Sequence, residues 1–304
     1  CPWRQRSRGR RLGLLLRCAA VAVGAAPFLH QLDERPAWLA GGLQSSSAGA
    51  RGRAAPRAAG PHNAAAVDTL IFDIDDTLYP ASSGFSDHRM GDNVTGRFMV
   101  EKMGFPSAQE GMALWAEYIR RYHSTLKGLR VAEEEGRLPQ PFHQEELGQF
   151  WAERCDFDKY LPPDPAMVDA LSSLKNEAGM KLVAFTNAPR QYALRMLEHL
   201  GVRALFDDSR VFAVEDVLPA CKPEREAFEQ VLTSVGSKPE HTVMFEDSMK
   251  NIHACSELGI RTVLIHEDGG ASSGEAQLLG DAPAPDDPAV GASLRRIGEV
   301  REKL

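Results

Sequence analysis

Residues 67–78 read VDTLIFDIDDTL: an apolar run, Val67 to Phe72, that stops at Asp73-Ile74-Asp75-Asp76-Thr77-Leu78. A short apolar run that ends in acid is the pattern of a buried strand. Four comparable runs follow, at 181–185 (KLVAF), 210–214 (RVFAV), 242–245 (TVMF) and 261–265 (RTVLI). Helical patterns alternate with them. Residues 189–200 place Ala193, Leu194, Leu197 and Leu200 on one face and stop at Gly201. Residues 223–235 open on Pro223, repeat Ala227, Phe228, Val231, Leu232 and Val235, and stop at Gly236. Residues 248–258 carry Ile252, Cys255 and Leu258 before Gly259. This rhythm predicts an α/β fold whose parallel sheet is joined by crossover helices. Ligands in such sheets sit beyond the C-terminal ends of the strands, so the polar residues found there are the ones that matter.

From 81 to 160 no strand pattern is visible. Ser107-Ala-Gln-Glu110 is a capping box. It opens a helix with Ala108, Met112, Trp115, Ile119 and Tyr122 at 4-3-4-3 spacing. Further helices are expected near 92–103 and 142–153. The reading is a helical insertion between the first and second strands. After Asp268 the chain is rich in Gly, Ala, Pro and Asp, so 269–304 is expected to be a linker with a short final helix.

The net charge of −7 over 304 residues divides unevenly. Residues 1–67 hold ten Arg, no Lys and two acids, a balance of +8; the rest holds 25 basic and 40 acidic residues, a balance of −15. The acidic bulk argues against polymeric nucleic acid as a partner, because phosphate backbones need a basic face. The Arg-rich, acid-poor segment 1–66 resembles an organelle transit leader. The expected location is therefore an organelle stroma or matrix after cleavage, plastid favoured over mitochondrion, with the cytoplasm as the alternative. Arg17 interrupts its apolar stretch, leaving residues 18–29. That is shorter than the about 20 residues a spanning helix needs. No stable membrane span is expected in the mature protein. Five scattered cysteines without a CxxC pair argue against a disulfide scaffold or zinc ribbon.

The strand ends supply Asp73, Asp75, Thr186-Asn187 and Glu246-Asp247, and Lys222 precedes the helix at 223. Carboxylates converging beyond one sheet edge would repel and raise each other's pKa. A hard divalent cation relieves that repulsion, and oxygen-only donors favour Mg²⁺ over zinc. A lysine and a hydroxyl beside such a cation make a cradle for a phosphoryl group. An ionised Asp can attack phosphorus, and a second Asp two residues on can protonate the leaving oxygen.

Strand-DIDDTL, strand-TN, KP before a helix and strand-EDSxxN together resemble the four motifs of the haloacid dehalogenase-like phosphatase superfamily, in order, over residues 67–268. LYPASSG, NVTGRFMVEKMGF, YHSTLKGL and DKYLPPDP resemble its pyrimidine 5′-nucleotidase branch. The resemblance implies a Rossmann-like parallel sheet with helices on both faces. The catalytic core would be 67–80 and 161–268, with an α-helical cap at 81–160. It implies Asp73 as nucleophile and Asp75 as general acid/base, with Thr186 and Lys222 on the phosphoryl group. Mg²⁺ would be held by Asp73, the Asp75 carbonyl and Asp247, with Glu246 near or in its shell. Asn187 would close the phosphate loop or cap the next helix. Asn93 and Ser82-Ser83-Gly84 are candidate substrate contacts. The implied substrate is a small phosphorylated metabolite, a nucleoside 5′-monophosphate favoured. Another small ester such as phosphoglycolate or a sugar phosphate, a phosphomutase, and a non-catalytic regulatory module are the alternatives. Asp76 stands where Gly or Asn is more usual, and the run Glu133-Glu134-Glu135 has no assigned role.

Each residue also has a plainer reading. Thr186-Asn187 could only cap a helix. Lys222 could be a solvated surface lysine. Glu246-Asp247 could only complement a helix dipole. Trp115, Tyr118 and Tyr122 read more readily as cap core than as a base-stacking platform.

Overall fold

The computed structural model describes residues 66–267 and 273–300. The leader expected over 1–66, and the organellar location read from it, lie outside the described residues apart from Ala66. Six strands form one sheet: β1 (Thr69–Phe72), β2 (Lys181–Phe185), β3 (Val211–Phe212), β4 (Thr242–Glu246), β5 (Arg261–Ile265) and β6 (Ala292–Leu294). Their order is β3-β2-β1-β4-β5-β6, and every neighbouring pair is parallel. Thr69 registers with Lys181 on one side and Thr242 on the other. The strand order therefore reverses beside β1, which places the crevice at the C-terminal ends of β1 and β4.

Alternating side chains explain why the strands read as continuous apolar runs. Leu70 and Phe72 join one core, Ile71 the other. With helices covering both faces, the α/β expectation holds. Between β1 and β2 run α1 (Phe85–Met90), α2 (Arg97–Glu101), α3 (Ala108–Tyr122), α4 (Thr125–Glu134), α5 (Gln144–Arg154), α6 (Phe157–Tyr160) and α7 (Pro165–Asn176). The Ser107 hydroxyl accepts from the Glu110 N–H at 3.2 Å, so the capping box opens α3 where expected. Trp115 and Tyr118 are buried, and Trp115 Nε1 donates to Thr125 Oγ1 at 2.9 Å, so these rings pack α3 on α4. The acidic run also has structural work. Glu133 accepts from the Phe142 N–H at 2.7 Å, and Glu135 accepts from the Tyr118 hydroxyl.

After β2 come α8 (Arg190–His199), α9 (Val214–Val217), α10 (Arg225–Val235), α11 (Met249–Leu258) and α12 (Gly274–Leu279). Helix α10 starts two residues later than its proline suggests, because residues 221–224 form a turn closed by the Glu224 N–H to the Cys221 carbonyl at 2.7 Å, with Asn187 holding the Lys222 backbone. The C-terminal stretch departs from the expected linker and final helix. It holds α12 and then β6, which pairs with the open edge of β5. Three residues are too few for a strand period to show in sequence. Among the described residues no helix is long and apolar enough to cross a membrane.

Candidate active site

Asp73 is the first residue beyond β1, and its N–H continues the ladder to the Phe245 carbonyl at 3.0 Å. Its buried carboxylate meets Lys222, which reaches in from the loop before α10. Lys222 is 2% exposed. Its ammonium donates to Asp73 Oδ1 at 2.6 Å, to the Phe185 carbonyl at 3.0 Å and to Glu246 Oε2 at 3.0 Å. Three donors meet three acceptors, which is what permits a lysine to be buried charged. The two carboxylates raise its pKa above the ordinary range against the pull of burial. The reading of Lys222 as a surface residue is thereby excluded.

Glu246 closes β4. Its second oxygen accepts from Asn251 Nδ2 at 2.7 Å, so both of its oxygens are engaged. Asp73, Glu246 and Asp247 each offer an oxygen within 4.8 Å of the others. Burial raises the pKa of Asp73 and of Asp247 well above the carboxylate range, and Glu246 adds repulsion to both. A close, oxygen-only set of mutually repelling carboxylates suits a hard divalent cation.

Asp75 stands apart from that cluster. Its Oδ1 accepts from the Tyr79 hydroxyl at 2.7 Å and the Tyr192 hydroxyl at 2.6 Å, and Arg89 Nη2 lies 3.5 Å from the same atom. Neighbouring Asp76 has φ 57°, the left-handed region, which accounts for the Gly or Asn expected there. Its buried carboxylate accepts from Ser86 Oγ at 2.7 Å. Burial pushes its pKa up to about 6.

Thr186 follows β2, is buried, and accepts from the Ala188 N–H at 3.0 Å. Asn187 is spent on backbone. It accepts from the Lys222 N–H at 2.9 Å and donates to the carbonyls of Lys222 at 2.7 Å and His123 at 3.0 Å. It therefore shapes the site by tying Lys222 to the helical insertion, rather than offering a free amide to a substrate.

These groups line a cavity of about 120 Å³. Asn93 does not reach it. Val94 and Thr95 turn inward in the same segment, with Thr95 Oγ1 donating to the Arg89 carbonyl at 2.6 Å, and Asn93 is left exposed. Ser82 turns away as well, its N–H and hydroxyl both held by Glu267. The sequence reading misses Tyr79, Arg89, Trp151, Tyr192 and Glu275. Tyr192 carried a weak signal, as a polar-tipped ring on the apolar face of a helix that follows the second motif.

The haloacid dehalogenase-like hydrolase family model matches residues 67–259. Over 107 residues the chain is 31% identical to the phosphorylated carbohydrates phosphatase of Thermotoga maritima, covering 35% of this chain and 48% of that protein. Over 211 residues it is 27% identical to the glyceraldehyde 3-phosphate phosphatase of Methanothermobacter thermautotrophicus, covering 66% of this chain and 87% of the relative. The chain spans about half the length of the curated relatives it matches at 30% identity or above. Among solved structures, the HAD phosphatase from Thermococcus onnurineus superposes with TM-score 0.52 at 20% identity, over 78% of this chain and 97% of the other. CbbY from Rhodobacter sphaeroides in complex with phosphate gives 0.53 at 18%, over 77% and 96%. At these identities the likeness is one of fold.

Proposed function

The chain belongs to the haloacid dehalogenase-like hydrolases, and we propose that it hydrolyses small phosphate monoesters with Mg²⁺, through an aspartyl-phosphate on Asp73. The observation that carries this reading is the Lys222 ammonium bridging Asp73 and Glu246 beside Asp247. Two further facts support it. Asp75 is held apart from that cluster, and relatives bear the names of phosphatases of phosphorylated carbohydrates and glyceraldehyde 3-phosphate.

Mg²⁺ would be held by Asp73, Asp247 and the Asp75 carbonyl, while Glu246, engaged by Lys222 and Asn251, holds the lysine in place. When bound it neutralises charge on the phosphoryl oxygens. An Asp73 carboxylate oxygen attacks phosphorus and forms a P–O bond as the bond to the leaving oxygen breaks. Asp75 gives its proton to that oxygen, releasing an alcohol. Asp75 then takes a proton from water as the water oxygen attacks phosphorus. The bond to Asp73 breaks, inorganic phosphate leaves, and both carboxyl groups return to their starting states. The helical insertion acts as a cap that keeps bulk water from the intermediate.

The pyrimidine 5′-nucleotidase resemblance makes a nucleoside 5′-monophosphate one candidate ester, and the names of the relatives make a sugar phosphate the other. Phosphate release from a panel of both, with Mg²⁺ and with chelator, tests the reading. Release that needs Mg²⁺ and Asp73 supports it. Conversion of a sugar phosphate without net release points to a mutase.

A further inference from the structure

Arg89 is a buried guanidinium in the cavity wall. Nε has no hydrogen-bond partner, and no described residue accepts a hydrogen bond from the other nitrogens. What it has is Asp75 at 3.5 Å, and the rings of Trp151 and Tyr192, with its central carbon 4.7 and 5.1 Å from their centroids. Stacking fixes the plane of the fork but uses none of its five donors. A buried arginine kept in place with its donors unspent is arranged for an oxygen that arrives with a ligand.

Glu275 stands on the same cavity wall, on α12. Helices α1 and α12 abut, the Gly274 N–H donating to Asp87 Oδ1 at 2.6 Å. Yet no ion pair within 4.0 Å joins Glu275 to Arg89. Burial raises the Glu275 pKa to about 7, and Arg89 draws it back. A donor and an acceptor thus face one space without meeting. A carboxylate placed between them would be a third acid around one guanidinium that already faces Asp75 and Glu275. An apolar group would leave both unpaired. A hydroxyl satisfies both, accepting from Arg89 and donating to Glu275.

We infer that Arg89 and Glu275 form a hydroxyl-reading subsite for the leaving group, which assigns the substrate to phosphorylated sugars, free or as the ribose of a nucleotide. This rests on the hydrolase reading for where the ester is held. The test compares ribose 5-phosphate, UMP, phosphoglycolate and p-nitrophenyl phosphate in the wild type, Arg89→Met and the near-isosteric Glu275→Gln. Hydroxylated esters are preferred to phosphoglycolate. Each variant lowers kcat/KM for them roughly tenfold or more beyond its effect on p-nitrophenyl phosphate. The better of ribose 5-phosphate and UMP tells the free sugar from the nucleotide. Equal losses on all esters overturn the subsite, since Arg89 then acts only through Asp75. Preference for phosphoglycolate, improved by Glu275→Gln, overturns it too. Calorimetry with ribose 5-phosphate in Asp73→Asn protein separates the two readings. If no ester is turned over, the hydrolase reading fails, while binding weakened by Glu275→Gln still supports the subsite and undetectable binding overturns it.

Discussion

The Tyr192 hydroxyl donates to Oδ1 of Asp75 at 2.6 Å, joining a helix that follows β2 to the acid that follows β1. Tyr79 and Arg89 approach the same oxygen. With two hydroxyls donating to Oδ1 and the guanidinium charge 3.5 Å away, the proton of a neutral Asp75 belongs on Oδ2.

Tyr192→Phe loosens that orientation without removing the ring. Turnover of alkyl phosphates, whose leaving oxygen needs the proton, is expected to fall by about tenfold, within the range general acids supply. Turnover of p-nitrophenyl phosphate, a better leaving group, falls less. A plot of kcat against leaving-group pKa for both proteins measures the difference in slope.

Lys222→Met leaves Asp73 and Glu246 buried without their cation. Breaking a buried pair from one side costs about 3–5 kcal/mol, so the melting temperature falls and activity is lost. Burial and mutual repulsion already favour protonation of Asp73. Part of the lost stability therefore returns as pH is lowered, which thermal melts at pH 5 and pH 8 will show.

Glu275 gives a separate pH dependence. Its pKa is about 7 in the fold against an ordinary 4.5. Between those values the folded state binds more protons than the unfolded one, so stability falls as pH rises through the window. The contribution is complete below about pH 4.5 and is lost as pH passes 7. Glu275→Gln flattens that slope, and denaturant midpoints across the window, compared with wild type, measure it.

Helix α3 lies so close to α2 that a Cβ on Gly111 would press into Met99 Cβ. Gly111→Ala gains helix propensity but overpacks the insertion. A net loss of about 1–2 kcal/mol is expected, read as a lower urea midpoint.

The legible part of the site is the part carried by the sheet. Asp73, Thr186, Glu246 and Asp247 each follow or end a short apolar run, and a parallel sheet places all such ends on one edge. Lys222 was legible through its place before α10. Arg89, Trp151, Tyr192 and Glu275 come from helices, where a ring or a charge on the inner face reads as packing, and Tyr79 lies in the turn after β1. Tyr79 reaches Asp75 from four residues on, but whether Arg89 and Tyr192 meet there depends on how distant segments fold over the sheet edge, and no local spacing encodes that. Asn93 was misjudged for the same reason, since the inward turn of Val94 and Thr95 decides where it points. Strand β6 was hidden because its three residues are too few for a strand period to show.

The central claim is that Asp73 carries the phosphoryl group. Wild-type and Asp73→Asn protein, mixed with Mg²⁺ and the best ester of the panel, are quenched in acid and their peptides weighed by mass spectrometry. The account predicts a phosphorylated peptide containing Asp73 in the wild type, none in the variant, and none in the wild type with chelator. Phosphate release by Asp73→Asn at the wild-type rate would contradict it.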